Sequence, residues 1–171
     1  MTIDLTGATL MNFNFSNCHA TQARFGGATF TGTAVFGGAT FTENAQFGEA
    51  TFHREAGFGG ATFTGNAGFM GATFTGAQFV EATFTGDTVF NEATFNGTAW
   101  FDGATFTGNA EFSGATFGQP PRWPKGWRLE VTGEKARLVR PAGWRPGLRT
   151  AREHWLAIRS LRHESGLHNS V

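Results

Sequence analysis

The chain has 171 residues, with 13 Lys and Arg balanced by 13 Asp and Glu, so its formal charge is zero. Twenty Phe, 25 Gly, no Tyr and a single Cys exclude an internal disulfide framework and point to a repeat rather than a mixed globular core. The opening MTIDLTGATL lacks a basic start followed by a long apolar run, and no stretch approaches roughly 18 apolar residues, so neither a signal peptide nor a membrane span is expected and the predicted setting is cytoplasmic.

Large apolar residues recur from the start: Leu5, Leu10 and Phe15, Ala20 keeping the beat, then Phe25, Phe30, Phe36, Phe41 and onward to Phe117. Two residues before each there is usually a small one, such as Ala8, Cys18, Ala23 or Ala28, with Ile3 and Phe13 larger and Thr88 polar. The unit is small-x-large-x-x. Spacing is five up to Phe30, then alternates six and five, except that Phe69, Phe74, Phe79 and Phe84 run at five.

A helix does not fit. Five residues advance about 140° around a helix, so successive Phe would face opposite sides. A short strand does fit, because positions two apart point the same way: Ala and Phe face inward and the residue between them faces out. The Gly, Asn, Thr or Asp that follows supplies a corner. A lone unit cannot bury its Phe, but units wound into a stacked coil bury them all along one axis. The sixth residue, as at Thr33, Asn44, Glu55, Asn66, Asp87, Thr98 and Asn109, is expected to enlarge a corner on every second face. At Gly76–Ala77 that addition is missing.

This grammar resembles the pentapeptide-repeat family, over about residues 3–117 and some 22 units. The resemblance implies an all-β solenoid, a right-handed quadrilateral β-helix with four faces per turn. Phe13, Ala20, Thr88 and the alternating five-six spacing depart from the family's strict pentad. Four faces per coil make roughly 5.5 coils, about 26 Å at the ~4.8 Å spacing of neighbouring strands.

All twenty Phe lie between Phe13 and Phe117, and four of the five Trp follow, which divides the chain into a solenoid, 1–117, and a Trp-containing segment, 118–171. In the second part, residues 127–140 read as a hairpin around Thr132-Gly-Glu-Lys135. Residues 148–164 read as a helix with Leu148, Ala151, Trp155, Ile158 and Leu161 near one face. Three roles stay open for this segment: an end cap, a homodimerisation helix, or a basic arm. Charge divides at the same boundary. Residues 1–117 hold nine acids against Arg24 and Arg54, and residues 118–171 hold eleven Lys or Arg against four Glu.

No catalytic, cofactor or metal motif emerges. His19 and His53 fall at outward positions, and His154, His163 and His168 lack metal-ligand spacing. The glycines recur as corners, and none precedes a Lys-Ser/Thr pair. The expectation is a non-catalytic scaffold without cofactor that binds another protein of unspecified identity. Direct nucleic-acid binding is not expected, because the basic residues are interleaved with acids and no reader motif is present.

Three surfaces are candidates. The acidic body suggests a mimic of duplex DNA acting on gyrase or another topoisomerase, as the family resemblance implies for some members. Thr40, Thr42, Thr62, Thr64, Thr83, Thr85, Thr105 and Thr107 should stack as a flat array on one face, similar to ice-binding solenoids. Val80 and Trp100, one coil apart, form a small apolar patch whose occupant is either a partner or the protein's own C-terminal segment.

Overall fold

The computed structural model describes residues 1–140, and the expected helix over 148–164, with the dimer contact assigned to it, lies outside the described residues. The backbone winds through four ladders in a fixed order. The first face stacks Thr2–Asp4, Gln22–Arg24, Ala45–Gln46, Ala67–Gly68, Thr88–Val89 and Ala110–Glu111. The second stacks Thr9–Leu10, Thr29–Phe30, the starts of Thr51–Gly57 and Thr73–Gln78, then Thr94–Phe95 and Thr116–Phe117. The third runs from a bridge at Asn14 through Ala34–Val35, the ends of the two long strands and Ala99–Trp100 to a bridge at Arg122. The fourth stacks His19–Ala20, Thr40–Phe41, Thr62–Phe63, Thr83–Phe84 and Thr105–Phe106. All these pairings are parallel, and about five turns result. The fold is therefore an all-β quadrilateral β-helix. No helix among the described residues is long and apolar enough to cross a membrane.

The side-chain alternation of a strand sends Ala and Phe into the bore, where Phe25 to Phe101 are fully buried or nearly so. Rings repeat one coil apart with centroids 4.9 Å apart for Phe25–Phe47, 4.7 Å for Phe36–Phe58 and 4.9 Å for Phe63–Phe84, close to parallel in each case. That distance is the backbone ladder spacing, so the ladder itself sets the separation at which the rings stack. Rings of the first and third faces meet edge to face across the axis, as in Phe47–Phe58 at 5.4 Å and 87°. The small Ala of each unit leaves the cross-section to the rings.

The departures at Phe13 and Ala20 compensate each other. Ala20 leaves no ring beneath Phe41, and Phe15 fills that place at 5.9 Å in a stacked contact. Phe13 then takes the seat beneath Phe36 at 5.5 Å and closes edge to face on Phe25 and Phe30. One large residue too many and one too few cancel by shifting two rings around the bore. Thr88 has no such compensation. It is completely buried, and its Oγ1 has no hydrogen-bond partner.

Corners are of two kinds. After the first and third faces the step is five residues, and the residue two past the ring has positive φ: Gly27, Glu49, Gly71, Glu92 and Gly114 on one edge, Asn17, Gly38, Gly60, Glu81 and Gly103 on the other. Each closes a turn in which the N–H of the next small inward residue donates to the ring residue's carbonyl, for example Ala82 to Phe79 at 3.1 Å. After the second and fourth faces the six-residue step needs no left-handed conformation; in the first coil, where the second-to-third step is five, Asn12 takes a φ of 51°. On the fourth-to-first edge, Asn44, Asn66, Asp87 and Asn109 form a ladder in which the Oδ1 of each of the first three accepts the backbone N–H of the next, at 3.2, 3.0 and 2.9 Å. On the second-to-third edge, Gly76 pairs with Glu55 across a register shift, so the residue opposite Arg54 is the one missing. The shortened step is absorbed in the corner, and the inward set is undisturbed.

Winding continues beyond Phe117. Arg122 bridges Trp100, Trp123 stacks on Phe101 at 5.2 Å, and Trp127 meets Phe106 edge to face at 5.9 Å. The compositional switch from Phe to Trp is thus a change of ring within one stack. Strands Arg128–Thr132 and Lys135–Val139 then form an antiparallel hairpin, and the second of them joins the first face through Glu111↔Arg137. Buried Leu129, Ala136 and Leu138 complete this end of the core.

Candidate functional site

A bore filled with rings leaves function to the outside, and the faces differ in what they present. The fourth face carries the threonine array. Thr40, Thr62, Thr83 and Thr105 are in direct register, with His19 below Thr40. Thr42, Thr64, Thr85 and Thr107 form the second column, their amides donating down the ladder to Ala20, Phe41, Phe63 and Phe84 at 2.8 to 3.1 Å. The structure brings all eight together in two straight rows. No charged side group interrupts them, and they stay in register because the length changes of the repeat fall at corners and not within this face. β-Branching restricts χ1 and so narrows the positions the hydroxyls can take. The described hydrogen bonds made by Thr hydroxyls occur elsewhere, at Thr6, Thr21, Thr31, Thr94 and Thr116.

The opposite, second face has one complete column, Thr9, Thr29, Thr51, Thr73, Thr94 and Thr116. Its second column is broken by Met11, His53 and Asn96. Met11 is 78% exposed there.

The third face holds Val80 and Trp100. Trp100 stands in register with Gln78 in one column, and Val80 lies in the neighbouring column between Gly59 and Asp102, so the two are diagonal neighbours. Both are half-buried. The Arg122 guanidinium sits 4.6 Å from the Trp100 ring centroid, a cation–π contact. It also clasps Asp102 with Nε to Oδ2 at 3.0 Å and Nη2 to Oδ1 at 3.3 Å. The protein's own next coil thus covers the indole. A signal for this contact exists in the sequence: Arg122 follows Trp100 by 22 residues, the coil period.

The acids are dispersed around the rod. Glu49, Glu81 and Glu92 occupy left-handed corner positions, with their stems over Gly71, Gly103 and Gly114 of the next coil. Asp4 accepts from the Thr6 hydroxyl at 2.7 Å and the Thr6 amide at 3.2 Å and pairs with Arg24 at 3.5 Å. The Thr6 bonds, with Arg24 beside them, hold its carboxyl below the usual aspartate range. His19 and His53 are exposed on opposite faces. Among the described residues there is no group of three His, Cys, Asp or Glu placed to hold a metal ion.

Models of pentapeptide repeats match residues 3–33, 36–82 and 71–116, which together span nearly all of the four-faced winding. Comparison with curated proteins and with solved structures gave no match. The unit, the four ladders and the stacked bore agree with those matches: the protein is a repeat scaffold and belongs to the pentapeptide-repeat family.

Proposed function

We propose that the protein is a non-catalytic binding scaffold whose partner is another protein, engaged through the threonine array of the fourth face. The observation that carries this reading is the array itself: eight threonines in two unbroken, charge-free columns, set over a core of stacked rings. A stiff surface loses little conformational entropy on association, and aligned donor-acceptor groups can be satisfied by a complementary flat surface. The Val80–Trp100 patch supports a partner less well, because Arg122 already covers the indole.

Charges introduced on this face test the proposal. Thr64→Lys with Thr85→Lys should abolish capture of the partner by the purified protein, whereas Thr29→Lys with Thr73→Lys on the opposite face should leave it intact. Equal capture by both variants would discard the fourth face.

The regular spacing of the array also favours a second reading, binding to ice, which measured freezing and melting points of a protein solution decide: their coincidence removes it. A DNA mimic directed at gyrase draws support from the net negative body, but the acids follow no continuous track. Asp4 and Asp102 are paired with the protein's own Arg24 and Arg122, and duplex DNA carries about one charge per 1.7 Å. Unchanged supercoiling by purified gyrase in the presence of the protein would eliminate it.

A further inference from the structure

We infer that Asn96 is a deamidation site built into the second-to-third corner. It is followed by Gly97 and exposed, and the hydrogen bonds that occupy the amide groups of Asn14, Asn44, Asn66, Asn91 and Asn109 have no counterpart at Asn96 among the described residues. The following N–H is equally unengaged. Ala45 and Ala67 donate to the carbonyls of Asn66 and Asp87, and Glu92 to Ser113, whereas Gly97 N–H donates to no described backbone carbonyl. Residue 97 is held as glycine by its neighbour, since a Cβ there would collide with the Thr75 carbonyl oxygen. The fold itself does not require asparagine at 96: Thr75 and Thr31 hold the same column one and three coils away.

The chemistry needs only water. The Gly97 nitrogen gives its proton to solvent and attacks Cγ of Asn96. A bond forms between that nitrogen and Cγ, the Cγ–Nδ2 bond breaks, and the amide nitrogen leaves as ammonia with a proton from solvent. Water then opens the cyclic imide at either carbonyl, yielding aspartate or isoaspartate. Residue 97 has no Cβ, so no side chain of its own stands beside the attacking nitrogen. Isoaspartate adds one backbone atom at a corner where the preceding coil already differs by a whole residue, at the register shift between Phe74 and Gly76. Phe95 and Phe101 therefore keep their seats, and the second face acquires an anion in the column that holds Met11, Thr31, His53 and Thr75.

The experiment is peptide mass mapping of the full-length, folded protein during incubation in mildly alkaline buffer, with melting temperature followed in parallel. The expected result is a gain of about one dalton at Asn96 before any gain at Asn44, Asn66, Asn91 or Asn109. The melting temperature stays unchanged, and Asn96→Thr lacks the early gain while folding normally. If Asn96 keeps its amide in the folded protein yet converts in denaturant, the corner holds nitrogen and Cγ apart and the assignment is overturned. Earlier conversion at another asparagine overturns it as well, and a falling melting temperature as Asn96 converts overturns the claim that the corner absorbs the extra atom.

Discussion

Replacing Thr88 by Val should stabilise the protein. Thr88 occupies the small inward position of the first face, in register with Ala67 below and Ala110 above. It is fully buried, and its hydroxyl meets no acceptor or donor. A buried unsatisfied polar group costs about 1–3 kcal/mol relative to an apolar group of the same shape. Valine keeps the branched outline, opens no cavity and suits a strand at least as well. At roughly 2–4 °C per kcal/mol for a protein of this size, the melting temperature should rise by about 2–12 °C. Thr88→Ala also removes a buried methyl, worth about 0.8 kcal/mol before any cavity term, so its gain should be smaller. Thr88→Ser keeps the orphan hydroxyl, loses the methyl and should be the least stable of the four. Equilibrium unfolding in guanidinium, with the midpoint compared at constant slope, gives the ranking. A valine variant no more stable than the parent would mean that the hydroxyl is satisfied, and the reasoning from the bare Oγ1 would fail.

Other changes probe the corners and the first coil. Glu81 holds φ of 58°, a region costing an L-residue about 1–2 kcal/mol, so Glu81→Gly should raise the unfolding free energy by up to that amount, less the contact of its stem with Gly103 and the chain entropy that glycine loses on folding. Gly86→Ala should lower it by about 1–3 kcal/mol, because a Cβ would stand 2.6 Å from the Gly65 carbonyl carbon in the coil below. Ala20→Phe and Phe13→Ala should each destabilise, while the double variant restores regular ring seating, with a coupling of about 0.5–3 kcal/mol in a double-mutant cycle. Since the folded-state pKa of Asp4 is depressed, its contribution is present at neutral pH and lost as pH falls through and below the ordinary aspartate range. Asp4→Asn should therefore flatten the acid limb of the stability profile measured by thermal melting.

The alternation of Ala and Phe was enough to define the winding, because a period of five with paired inward positions has no other way to bury twenty rings. The threonine rows were equally legible, since residues one coil apart fall in register once the corners are counted. What the sequence could not disclose depends on contacts between non-repeating positions. Phe13 and Ala20 read as two separate defects, and only ring positions reveal them as one exchange. Glutamate at positive φ contradicts local propensity and is tolerated because Gly71, Gly103 and Gly114 open space for its stem. The sequence left the occupant of the Trp100 patch open between a partner and the C-terminal segment, because Arg122, which packs on it, lies beyond the change from Phe to Trp, where the repeat is hard to follow.

The division of labour between the two kinds of corner has a consequence for how such a fold can vary. Diagonally opposite edges with obligatory left-handed turns admit no extra residue without breaking the turn, whereas the other two already vary by one. Insertions, grafted peptides or chemical lengthening will accumulate on those two permissive edges. The threonine face lies between a rigid edge and a permissive one, so its border can be rewritten while the two rows of threonines keep their register.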